Sequence, residues 1–295
     1  MTQRHLVRTI RGLPTSDGAG VKLTRSLGQS DGARLDPFLM LDEIASESAD
    51  DYIAGFPPHP HRGFETVTYM LDGRMRHKDH LGNSGLLESG GVQWMTAARG
   101  IIHSEMPEQK EGRLHGFQLW INLPAAEKMK DPRYEDISPA EVPEVELQGG
   151  GVVRVVAGRV AGPEGDVEGP VRGISTQPLF LDIRLPEATA FDQAVPAGHN
   201  AFLYVYQGAL RVEGGNGSDY KRIVHGEAGV LSDGDRLSVT AEEVTGALLL
   251  AARPIGEPVV QYGPFVMTSR EEIEQALRDY RDGTLAAGEV EGIVR

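Results

Sequence analysis

Cysteine is absent from this 295-residue chain. That excludes disulfides, cysteine-ligated zinc, iron–sulfur clusters and thiol catalysis together. Basic residues are scarce: 29 Lys and Arg stand against 43 Asp and Glu, a formal net charge of −14. A phosphate backbone is held by clustered Lys and Arg, and no such cluster occurs, so direct nucleic-acid binding and adhesion to an anionic membrane are disfavoured. No run approaches the roughly 18 apolar residues of a membrane span, and the opening MTQRHLVRTIRG lacks the apolar core of a secretion signal. Aromatics make up 6% of the chain, and its two tryptophans, Trp94 and Trp120, read as core rather than as a base-stacking platform. There is no G-x-S-x-G elbow, and the triplet Gly149-Gly150-Gly151 lacks the Lys-Ser/Thr of a phosphate loop. The expectation is a soluble, cytoplasmic protein whose chemistry comes from His, carboxylates or a bound cofactor.

Glycine (37) and proline (18) are abundant, and they punctuate short alternating segments. FETVTYML runs into Asp72-Gly73, RMRHKDHL into Gly82-Asn83-Ser84-Gly85, and VQWMTA into Arg99-Gly100. Turns at this spacing between β-branched and aromatic stretches indicate an antiparallel barrel or sandwich. The second half repeats the plan. FLYVYQGALRVEG (202–214) is similar to TVTYMLDGRMRHK (66–78), with Gly208 falling 135 positions after Gly73. SDGDRLSVTA (232–241) is similar to SGGVQWMTA (89–97), with Thr240 falling 144 positions after Thr96. An insertion around Gly214–Asp219 accounts for the growing offset, and the whole reads as a duplicated β-domain. The polar, Pro/Gly-bearing stretch 131–151 is the expected linker, giving domains over 1–140 and 141–295. One helix, about 270–282, closes the second domain: Ser269 and Glu272 form a capping-box signal, Ile273, Ala276, Leu277 and Tyr280 share a face, and Gly283 is the stop.

Six of the nine histidines lie between residues 59 and 115. Within that window stand two short motifs, His59-Pro60-His61 and His103-Ser104-Glu105. On a strand, residues i and i+2 share a face and sit roughly 6.5–7 Å apart, so each motif can send two ligands into one cavity. Two such strands brought together present three imidazoles and a carboxylate to one point. That set suits Fe, Mn, Ni, Cu or Zn and disfavours Mg and Ca, without selecting among the first five. His77 and His80, at i and i+3, read as surface or rim residues. His115 reads as structural.

The stretches LDPFLMLDE, FPPHPHRGFETVTYMLDG, QWMTAARGIIHSEMP, LHGFQLWINLP and RPIGEPVVQYGPFVMTSREEI resemble the pirin family of bicupins over nearly the whole chain. The resemblance implies an all-β protein of two tandem jelly-roll-type cupin β-barrels with a short C-terminal helix. It implies one metal, usually Fe(II), in the N-terminal barrel, with His59, His61, His103 and Glu105 as ligands. Cupins at large often take their carboxylate from H-x-H-x(3)-E, the place of Glu65 here; with Glu105 as ligand, Glu65 is read as orienting a histidine from outside the ligand set. Transferring the repeat offsets puts Ala194, Pro196, Ala247 and Leu249 opposite the four ligands, so the C-terminal barrel reads as metal-free. The leading activity implied is a dioxygenase that opens a flavonol such as quercetin with O2 and releases carbon monoxide. Glu105 or Glu65 would then supply the base, and Phe56 and Gln118 would flank the pocket. Two alternatives stay open: a redox- or metal-dependent regulator that contacts a transcription factor or metabolic enzyme, and a metal-dependent isomerase. A monomer is expected.

Overall fold

The computed structural model describes residues 2–163, 165–213 and 220–286. Among these the regular structure is almost all strand, with one α-helix, Arg270–Arg281, and a few single 3-10 turns. No helix among them is long and apolar enough to cross a membrane. Two compact units emerge, each a seven-stranded antiparallel sheet with a four-stranded companion.

The N-terminal barrel unit comprises Pro14–Arg25, Phe38–Pro139 and Ile255–Arg295. Its larger sheet runs, edge to edge, through Arg133–Ile137, Val92–Thr96, Phe64–Asp72, Leu114–Asn122, Phe38–Ser46, Val21–Arg25 and Leu13–Asp17. Its smaller sheet runs Phe56–His61, Ile101–Pro107, Met75–Asp79, Ser84–Leu87. Register fixes which side chains share a face. Thr68 stands opposite Gln118 and Gln93, and Thr66 opposite Trp120 and Met95. Glu65, Val67 and Tyr69 point the other way, beside Thr96, Trp94 and Val92. Both faces of Phe64–Asp72 are buried, so its polar residues Glu65, Thr66 and Thr68 are buried along with the apolar ones.

The C-terminal barrel unit comprises Met1–Leu13, Ser26–Pro37 and Ala140–Pro254. An apolar core fills it, with Val153, Leu181, Leu203, Leu210, Ala247 and Leu249 all buried. Residues 214–219, where the repeat comparison places an insertion, lie outside the described residues.

Both units depart from a division into 1–140 and 141–295. The strand Leu6–Arg11 pairs antiparallel with Glu227–Leu231, so the first residues of the chain join the C-terminal barrel. The tail does the reverse. Phe265, Met267, Ile273, Ala276 and Leu285 pack together with Ile102 of the N-terminal barrel, and Arg62 pairs with Phe265. The helix therefore closes the N-terminal barrel, not the C-terminal one. Unpaired sheet edges and apolar helix faces are satisfied by whichever element reaches them, not by the nearest in sequence. The capping box at Ser269 and Glu272 is present, and Gly283 follows the helix with φ +72°. Only part of the expected apolar face is covered: Ile273 and Ala276 are buried, whereas Leu277 and Tyr280 are 38% and 44% exposed.

Candidate metal centre

The two motif strands pair directly. In the antiparallel register of Phe56–His61 with Ile101–Pro107, His59 stands opposite His103 and His61 opposite Ile101. The register shifts between His103 and Glu105, which brings Glu105 opposite Phe56. A bulge of this kind re-aims the side chain that follows it.

His59, His61 and His103 each offer a nitrogen, and the three nitrogens lie within 4.8 Å of one another. His61 and His103 are buried, and His59 is partly so. His59 Nδ1 donates to Pro57 O at 2.8 Å, which leaves the lone pair on its Nε2, 3.0 Å from His61 Nε2. Burial holds His61 and His103 well below the usual histidine range, and neighbouring imidazoles push the same way. Both are thus neutral, the form that ligates. His103 Nε2 is buried and has no hydrogen-bond partner among the described residues. A buried lone pair left unmatched costs free energy, and a metal ion among three convergent imidazoles would satisfy it. The donor set fits a borderline transition-metal ion.

Glu105 lies outside that 4.8 Å group. It is buried, and its carboxylate accepts from Thr68 Oγ1 at 2.8 Å and from Gln118 Nε2 at 2.9 Å. Burial raises its pKa; the charge of His59 and the two hydrogen bonds pull it back. Glu105, Thr68 and Gln118 are the polar groups of a small cavity whose other walls are Ile44, Phe56, Met70, Met75, Leu114 and Phe117. Apolar walls with a few convergent polar groups are the usual make-up of a small-molecule site. Trp120 and Phe64 pack edge-on against His61, with ring centroids 5.3 and 5.1 Å away. That places Trp120 against the metal cluster.

Glu65 is elsewhere. It points from the face of its strand opposite Thr66 and Thr68, where its carboxylate accepts from Thr96 Oγ1 at 2.7 Å. It has no hydrogen bond to a histidine among the described residues, so strand parity removes it from the role of orienting one. Burial raises its pKa to about 7.

His77 and His80 are not surface residues; both are buried. His77 lies on the Met75–Asp79 strand beside Glu105, with its Nε2 3.2 Å from His103 Nδ1. His80 Nδ1 accepts from the backbone N–H of Ile102 at 3.1 Å. The i, i+3 spacing misled because the strand ends at Asp79, so the two histidines belong to different elements. The signal present in the sequence was the alternation Met75, His77, Asp79. His115 pairs with Glu43 at 2.8 Å, a structural arrangement.

Behind the ligands, the chain is clamped. Lys128 is buried, and its Nζ donates to Gly63 O (2.6 Å), Asn122 Oδ1 (2.6 Å) and Val266 O (3.0 Å). Arg62, next to His61, bonds Arg99 O and pairs with Asp279 of the helix at 2.7 Å. Gly63 has φ +90°, and a Cβ there would meet Val266 O at 1.9 Å, so the tail passes where only glycine leaves room. Sequence reading missed Lys128 and Arg62, because all of their partners but Asn122 are distant in the chain.

Comparison with known proteins gives a consistent result. The family Pirin matches residues 20–121, and the Pirin C-terminal cupin domain matches residues 180–286. A Pseudomonas aeruginosa protein, provisionally named a quercetin 2,3-dioxygenase, is 55% identical over 283 residues, 96% of this chain and 98% of its own length. Pirin of Homo sapiens is 38% identical over 270 residues, 90% of this chain and 89% of its own. A crystal structure of quercetin 2,3-dioxygenase from Acinetobacter baumannii has a TM-score of 0.87 at 31% identity, covering 97% of this chain and 99% of that one.

Proposed function

The chain belongs to the pirin family, and on that basis we propose that it is a metal-dependent dioxygenase that opens the ring of a flavonol such as quercetin. The single observation that carries this reading is the position of Glu105. A buried carboxylate of raised pKa sits at the wall of an apolar cavity, on the same strand as His103 and under the electrostatic influence of His59. His59, His61 and His103 would hold the ion with Glu105, and iron(II) is the proposed metal. When bound, the ion supplies Lewis acidity toward the 3-hydroxyl and neighbouring carbonyl of the flavonol and makes reaction with O2 accessible.

The chain's own residues do the rest. Phe56, Met70 and Phe117 wall the apolar cavity on which Glu105 lies, and Gln118 and Thr68 hold the Glu105 carboxylate in one orientation. Its raised pKa makes Glu105 a stronger base than an ordinary carboxylate, suited to taking the proton of the 3-hydroxyl. In the overall reaction both atoms of O2 enter the ring-opened depside, and one ring carbon leaves as carbon monoxide.

The test is O2 uptake with carbon monoxide detection on anaerobically Fe(II)-loaded protein given quercetin, beside a His103→Ala control. Matched O2 consumption and carbon monoxide release that vanish in the control would support the reading. Iron demonstrably bound with no turnover would sink it and favour a regulatory role through protein contact.

A further inference from the structure

We propose that His77 is a positioning residue: its Nε2 accepts the Nδ1 proton of His103 and thereby fixes His103 in the tautomer and ring orientation that leave Nε2 free for a metal. The inference rests on the metal-centre reading and extends it to a residue outside the His-x-His and His-x-Glu motifs.

The two nitrogens of His103 face different surroundings. Its Nε2 is buried and has no hydrogen-bond partner among the described residues, and its ring belongs to the three-histidine cluster. Its Nδ1 lies 3.2 Å from His77 Nε2. A neutral imidazole carries one proton. With the proton on Nε2, His103 would present a buried donor to a cluster of ligand nitrogens and no lone pair to an ion. Placed on Nδ1, the same proton is donated to His77, and Nε2 keeps its lone pair. His77 must then carry its own proton on Nδ1.

The geometry that makes His77 a fixed acceptor is also built in. The Ile101–Pro107 strand is flanked by two partners: Phe56–His61 brings His59 opposite His103, and Met75–Asp79 brings His77 opposite Glu105. In that register Asp79 stands opposite His103, and His77, two residues along, reaches the His103 ring diagonally, with the 3.2 Å approach of Nε2 to Nδ1. The His77 ring is buried and tilts against that of Tyr134, with centroids 4.8 Å apart. Tyr134 is in turn hydrogen-bonded by the Gln93 amide, which also donates to Asp136 Oδ1 at 3.0 Å. Burial and the contact with Tyr134 hold the His77 ring against the edge of the Ile101–Pro107 strand. Partners of this kind set which nitrogen a histidine offers, and their loss typically costs about 10–100-fold in metal affinity.

Competition for Zn(II) against a chromophoric chelator would be measured for wild type, His77→Phe, His77→Gln and His103→Ala. A long-range proton–nitrogen correlation spectrum of the Zn(II)-loaded wild type reports the His103 tautomer without any substitution. The expected results are an affinity lower by roughly 10–100-fold in His77→Phe, largely restored in His77→Gln because its amide oxygen still accepts, and a His103 proton on Nδ1. Wild-type affinity in His77→Phe, equal weakening by both His77 variants, or a His103 proton on Nε2 would overturn the role of His77 while leaving the metal centre standing. Should His77→Phe fail to fold, the spectrum of the wild type decides. Zn(II) uptake unaffected by His103→Ala would overturn the metal centre itself, and this inference with it.

Discussion

Replacing Lys128 by methionine isolates the clamp behind the ligand strand. Methionine is close to lysine in length and width but donates nothing. Three acceptors, Gly63 O, Asn122 Oδ1 and Val266 O, lose a charged donor at 2.6, 2.6 and 3.0 Å. Hydrogen bonds to charged groups contribute about 1.5–3 kcal/mol each, so about 5–9 kcal/mol of gross interaction disappears. Against this stands the cost of burying the ammonium. Burial lowers its pKa from 10.5 to about 8, with Glu257 and Glu272 opposing the shift. At about 1.4 kcal/mol per pH unit, that relief returns about 3–4 kcal/mol. The expected net loss is about 1–6 kcal/mol, a fall in Tm of roughly 2–20 °C. Urea denaturation followed by circular dichroism, with a thermal scan beside it, measures both. Zn(II) affinity should fall as well, because Gly63 lies two residues beyond His61. A loss below about 1 kcal/mol would refute the reasoning, since it would mean that the three acceptors are satisfied without the lysine.

Three further outcomes follow from the same structure. Thr68→Val keeps the shape of the side chain and removes the 2.8 Å hydrogen bond to Glu105 Oε1, so kcat/KM on quercetin should fall about ten-fold with little change in fold; unchanged steady-state kinetics would argue against a role for the Glu105 orientation. Glu65, with its pKa raised by burial to about 7, binds a proton in the folded state that the unfolded chain releases near pH 4.5. Stability should therefore fall as pH rises from about 4.5 to about 7, by about 3 kcal/mol, and then level, and Glu65→Gln should flatten that slope in urea titrations at a series of pH values. Gly63→Ala forces a Cβ into Val266 O at a φ of +90°, and should cost more than about 3 kcal/mol or abolish soluble expression; a near-wild-type melting curve would show that the tail does not need to pass there.

The ligand motifs were legible because strand periodicity is local. The i, i+2 spacing of His59 with His61, and of His103 with Glu105, is the parity of one strand face, and turn residues around them mark the strand ends. The capping box at Ser269 and Glu272 was legible for the same reason, since its partners are three residues apart. The pairing of His59 with His103 is not local, nor is the bulge that turns Glu105 toward the cavity wall. The same limit explains Glu65. Its sequence spacing fits a ligand motif, but the intervening Arg62 and Gly63 break the strand, and parity on the next strand turns it to the opposite face.

The sequence by itself determined that this protein is all-β and built of two similar halves, that cysteine chemistry is excluded, and that histidine and carboxylate are the candidate ligands. Composition and short-range periodicity suffice for that. Only the tertiary structure decided that His77 abuts His103, that Lys128 clamps Gly63 to Val266, and that the helix closes the N-terminal barrel. Each of these depends on which strand edge or buried carbonyl finds which partner across tens to hundreds of residues. Hydrogen-bond satisfaction and packing settle that choice in three dimensions, and no local pattern in the chain encodes it.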